Sequence, residues 1–200
     1  MEILNSDVGY YDPSQSTKPV SFVTKQLYPM HIKDVSIKEV GVKGKYKAKV
    51  YNFTCEVASE CSNNTYETMD VETKKPITIP GSSYVGKEIK SKGFFMFLNP
   101  KPGDDFQANN GANESYLSLC ESLGIEMNDV EIEIDGEKRV VKEFPVLSKD
   151  NLVGKPALGY VDKESWTDMD GNKRVSYKVK GFNLWYEGVM KDYYSDDVPF

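Results

Sequence analysis

Residues 45 to 57 alternate lysines and aromatic rings with small apolar side chains. A period of two belongs to a β-strand with two unlike faces, and it conflicts with the 3.6-residue period of a helix. Lys45, Lys47, Lys49, Tyr51 and Phe53 fall on one side, with Tyr46, Ala48 and Val50 on the other. Such a strand can bury its small apolar face and hold a polyanion with its cations and rings. The pattern breaks past Asn52. There Thr54 and Glu56 place polar groups on the side expected to face the core, which signals a bulge or twist.

Other segments read in the same language. Val35, Ile37, Val40 and Val42 predict a strand just before this one, within a domain beginning at His31. Residues 1–30, punctuated by Gly9, Pro13, Pro19 and Pro29, predict an extended N-terminal arm. Residues 59–83 are polar and read as a long loop with a short strand in it. A strand follows from about Tyr84 to Leu98, with Gly93 permitting coiling. Asn113 to Leu123 predicts the one helix, with Asn113 as N-cap, a stripe of Leu117, Cys120 and Leu123, and Gly124 as its stop. Val130 to Val141 predicts an acidic hairpin turning at Asp135-Gly136. Val153 to Trp166 and Arg174 to Tyr186 form a last pair, joined through Asp168 to Asn172. The order is three strands, a helix and two strands. It fits a five-stranded OB-type barrel with the helix between strands 3 and 4, a split β-sandwich being the alternative.

Composition bounds the function. The net charge of −6 is unevenly spread: acids crowd into an insert at about 104–143 and into a tail at 187–200, leaving the rest of the chain mildly basic. A basic body attracts phosphate, while acidic appendages keep the chain soluble. No apolar run is long enough to span a bilayer, and the acidic, polar start is unlike a secretory signal, so a cytoplasmic protein is expected. Three irregularly spaced cysteines, Cys55, Cys61 and Cys120, describe no disulfide framework and read as reduced thiols. With His31 they could supply four zinc ligands, but none has the close spacing that starts such a site. No metal or cofactor is expected.

The chain ends Ser195-Asp196-Asp197-Val198-Pro199-Phe200. Apolar residues behind acids at an extreme terminus suit docking elsewhere, with Phe200 filling an apolar pocket and a partner's cations taking the carboxylates. This tip resembles that of bacterial and phage single-stranded DNA-binding proteins. Leu152-Val153-Gly154-Lys155, after a helix ending Leu123-Gly124-Ile125, is similar to phage binders of the OB type over roughly residues 31–186. The resemblance implies a disordered acidic tail whose tip (Asp196, Asp197, Val198, Pro199, Phe200) recruits replication or recombination proteins. It also implies sequence-independent protection of single strands by the body, in the host cytoplasm if the source is a phage. Some phage relatives carry a zinc ion.

For phosphate contacts the candidates are Lys47, Lys49, Lys90, Lys92, Lys178 and Lys180, and for base stacking Tyr51, Phe53, Phe94, Trp166 and Phe182. Trp166 stands beside the turn where OB proteins place a binding loop; Trp185 reads as core or as a seam with the tail. A homo-oligomer is compatible with this reading, and a membrane partner is not expected. Two other classes compete. A metal-dependent nuclease could use Asp104, Asp105 and the acidic insert, but the chain lacks a nucleophile motif, a phosphate-cradling glycine loop and paired ligand spacing, so no enzyme is expected. A virion scaffold would need no basic face.

Overall fold

The computed structural model describes residues 20–42, 46–70, 72–98, 106–134 and 136–193. Most of the arm, Lys45, the Asp104-Asp105 pair and the tip from Asp196 to Phe200 lie outside the described residues.

The protein is mainly β. A long strand β1 (Gln26–Val42) pairs antiparallel with β2 (Tyr46–Val57). β2 then pairs with β5 (Glu88–Lys90) and β6 (Phe94–Leu98). The first part of β1 pairs with β9 (Pro156–Thr167), which pairs with β10 (Lys173–Asn183). The strand order is thus β10-β9-β1-β2-β5, with β6 also on β2. A parallel bridge from Ser91 to Val179 brings the far side of the sheet back to β10, with the Lys92 N–H donating to the Val179 carbonyl at 2.9 Å. Two hairpins are appended, β3–β4 (Thr65–Met69, Pro76–Pro80) and β7–β8 (Asp129–Ile134, Glu137–Lys142). The second is the expected acidic hairpin, with Gly136 at a φ of +81° in its turn.

The helix α1 (Phe106–Ser122) is longer than its sequence pattern predicts. Tyr116, Leu119, Cys120 and Leu123 are buried, an i, i+3, i+4, i+7 stripe against the sheet. Asn113 is therefore not an N-cap: it lies inside the helix and is buried. A second, four-residue helix α2 (Lys149–Leu152) is closed by a capping box between Ser148 and Asn151.

The folded body begins ahead of the expected boundary at His31. β1 begins at Gln26, ahead of His31, and Val23, Tyr28 and Met30 are core residues. Pro29 does not break the strand; its carbonyl accepts from the Ala58 N–H at 2.9 Å. The break in alternation past Asn52 has its counterpart in β1, where the register shifts between Ile32 and Asp34. The predicted strand at 84–98 is two strands. Ser91, Lys92 and Gly93 separate β5 from β6, and a Cβ on Gly93 would meet the Val50 Cγ1 at 2.9 Å.

Candidate nucleic-acid interface

Residues directly opposite in an antiparallel pair share a face. Tyr51 faces Phe94 across β2–β6, and Phe53 faces Val35 across β1–β2. All four are buried, so this is the inward face. Phe53, Phe94 and Phe182 meet there with ring centroids 5.6–5.8 Å apart. Their burial corrects the expectation that Tyr51, Phe53, Phe94 and Phe182 are accessible stacking rings. Lys47 and Lys49 sit toward the end of this same inward face, opposite Leu98 and Met96. They do not share a surface with exposed rings of β2.

The outward face carries different residues. Val50 lies between Lys38 on β1 and Phe95 on β6, and Ala48 lies between Val40 and Phe97. Ala48 and Val50 are buried, yet on the face opposite the core, alongside Phe95 and Phe97. Phe95 is 39% exposed, and the two rings stack with centroids 6.0 Å apart and planes 21° from parallel. Gly93, two residues before Phe95, presents no side chain there. Lys38 is exposed at the end of the Lys38–Val50–Phe95 row, and Lys90 stands opposite Thr54 on the neighbouring β5 pairing. The result is an aromatic platform flanked by cations. Its rings were hidden in the sequence because Phe94 to Leu98 is unbroken apolar, so period alone could not tell inward from outward positions.

Four of the predicted residues do come together. Lys92, Phe94, Lys180 and Phe182 line a cleft of about 270 Å³ beside α1, whose Ser115, Ser118 and Ser122 form its other wall. The two rings belong to its buried lining, and the Lys92 Nζ stands 5.2 Å from the Phe94 ring centroid. Lys180 is held by Glu164 at 3.0 Å, and that hydrogen bond holds the Glu164 carboxyl below its usual range. Trp166 is 47% exposed and faces Arg174 across β9–β10, with Lys178 opposite Asp162 further along. Arg174 is itself engaged by Asp168 at 2.8 Å, which shapes the turn.

The thiols of Cys55, Cys61 and Cys120 are free and buried. Burial pushes Cys55 up to about 12 and Cys120 to about 11, so neither is a thiolate near neutrality. The His31 Nε2 is 2.9 Å from the Val189 carbonyl oxygen. Among the described residues no three His, Cys, Asp or Glu side chains gather as a metal site. Among them, too, no helix is long and apolar enough to cross a membrane.

The expected tail begins as part of the body. Trp185 is buried, 5.7 Å from the His31 ring. Residues 187–193 follow as a strap: the Lys191 N–H donates to the Gly154 carbonyl at 3.0 Å, and Lys191 and Tyr193 both bond to Glu56. Gly154 has φ of +85°, and a Cβ there would lie 2.2 Å from the Lys191 carbonyl oxygen, so only glycine lets the strap pass. Burial opposes ionisation of Glu56, but hydrogen bonds from Lys191 and Lys33 outweigh it and hold its pKa below the usual range. A depressed carboxylate stabilises above its unfolded pKa, about 4.3, and that contribution is lost as pH falls through the lower folded value. We expect acidification below about pH 4 to loosen the strap. Trp185 emission in a Trp166→Phe background would report it, and Glu56→Gln should remove this step. An unchanged step in Glu56→Gln would assign it to another group.

Comparison with protein-family models and with curated proteins returns no match, so function rests on the chemistry of these surfaces.

Proposed function

We propose that this protein binds single-stranded DNA without sequence preference, through an OB-type barrel, and protects it during replication or recombination. The observation that carries the reading is the outward Phe95–Phe97 pair in line with Lys38. Stacked rings on a strand surface accept bases of any identity, because every base has a π-face, and neighbouring cations neutralise the backbone. The connectivity supports the barrel: β1 pairs both β2 and β9, a helix separates β6 from β9, and Ser91 meets Val179 in parallel. The binding residues are Phe95, Phe97 and Trp166, with Lys38, Lys90, Lys92, Lys178 and Lys180 as cations. The tip, Asp196 to Phe200, recruits partner proteins in this reading. Removing it should leave or raise DNA affinity while abolishing recruitment.

Titration with oligo-dT, followed through tryptophan quenching, tests the reading. Affinity should fall linearly in log salt, by about 0.7 per phosphate neutralised. A folded protein that shows neither quenching nor salt-dependent binding would leave the scaffold interpretation standing. Mg²⁺-dependent loss of the oligonucleotide would favour a nuclease.

A further inference from the structure

We propose that Asn113 is a positioning residue for the Phe95–Phe97 platform, an inference that rests on the single-strand reading above. Asn113 occupies the buried stripe of α1 one turn before Tyr116 and is only 1% exposed. Its Oδ1 accepts from the Phe97 N–H at 2.8 Å, and its Nδ2 donates to the Phe97 carbonyl at 3.1 Å. These two bonds also fix which way the amide points, since the reverse assignment would set donor against donor.

β6 is paired to β2 along one edge. On its other edge the Phe97 peptide groups face the helix, where an unpaired N–H or carbonyl is costly. Asn113 stands in for the missing strand, offering a donor and an acceptor in one plane. Among side chains of this size only asparagine does so; aspartate supplies acceptors alone and leucine neither. Holding both peptide groups of one residue fixes the direction of its Cα–Cβ bond. Here that direction points Phe97 away from the core and into the stack with Phe95. A side chain at the free edge of β6 thus sets the geometry of rings on the outward face.

A double-mutant cycle separates positioning from general support. Asn113→Asp keeps the acceptor for the Phe97 N–H and serves should Asn113→Leu fail to fold. Measured well below the unfolding midpoint, either variant should bind oligo-dT about tenfold more weakly, with the salt slope unchanged. In a Phe97→Ala background the same substitution should change affinity less than about twofold. Equal losses in both backgrounds, or no loss in the native one, would overturn the inference. Should the native chain bind and Phe97→Ala weaken it while Asn113→Asp does not, only the positioning role falls. Should the folded native chain not bind oligo-dT at all, the single-strand reading falls and this inference with it.

Discussion

Replacing Phe95 and Phe97 together by alanine should weaken oligo-dT binding by about 30-fold to 10⁴-fold while leaving the fold intact. Each base–ring stack contributes about 1–3 kcal/mol, and every 1.4 kcal/mol is about tenfold in affinity. Phe95 is well exposed and Phe97 half-buried, so their loss removes little from the core. Phe94, next in sequence, gives the contrast. It is 4% exposed and packs against Phe53 and Phe182, so Phe94→Ala should lower stability by about 3–5 kcal/mol. DNA affinity should change little in the Phe94→Ala molecules that remain folded. The salt slope of the double variant should match the native one, because the lysines that set it are untouched. Oligo-dT titrations at several salt concentrations, paired with thermal melts, would read both quantities. Affinity loss in Phe94→Ala comparable to that of the double variant would mean that the inward face, not the outward one, meets DNA.

That contrast also locates what the sequence could and could not reveal. Strand existence was legible at 46–57, 156–167 and 173–183, where alternation or β-branched residues run between turn signals. So was the acidic hairpin, since Asp135-Gly136 leaves few alternatives. The faces were not. Lys47, Lys49, Tyr51 and Phe53 share a parity, and cations beside rings look like an exposed surface. In the structure Tyr51 packs against Tyr116 of α1 and Phe53 against Phe94 and Phe182, while the lysines occupy the end of the same face. Period two assigns residues to two faces and says nothing about which one the helix covers. Asn113 is ambiguous for a related reason: asparagine ahead of an amphipathic run is a common N-cap. The stripe is in fact carried by Tyr116, Leu119, Cys120 and Leu123, with Leu117 only half-buried, and one turn back from Tyr116 it reaches Asn113.

Tyr28→Ala should destabilise the protein by about 3–5 kcal/mol, a large share of the roughly 5–15 kcal/mol that holds a domain together. Tyr28 falls in the stretch whose prolines suggest an arm, yet it is 0% exposed. Its ring stacks on Tyr66 at 4.3 Å and meets Phe22 and Tyr84 edge-on at 5.2 Å. Its hydroxyl accepts from the Val23 N–H at 2.9 Å and donates to the Val23 carbonyl at 3.0 Å, closing the chain's entry into β1. Alanine would empty the centre of that ring cluster and leave both Val23 groups without a partner. Phenylalanine keeps the ring and loses only the hydroxyl, so Tyr28→Phe should cost about 1–3 kcal/mol. At about 2–4 °C per kcal/mol for a chain of this size, the melting temperature should fall by roughly 6–20 °C and 2–12 °C respectively. An arm lying loosely on the surface predicts a change within about 0.5 kcal/mol for both. A pair of melts therefore decides whether the fold starts before Gln26 or after it: near-native midpoints for Tyr28→Ala would detach the whole segment from the core. A graded loss, alanine well beyond phenylalanine, would be the signature of a tyrosine whose ring and hydroxyl both hold the first strand in place.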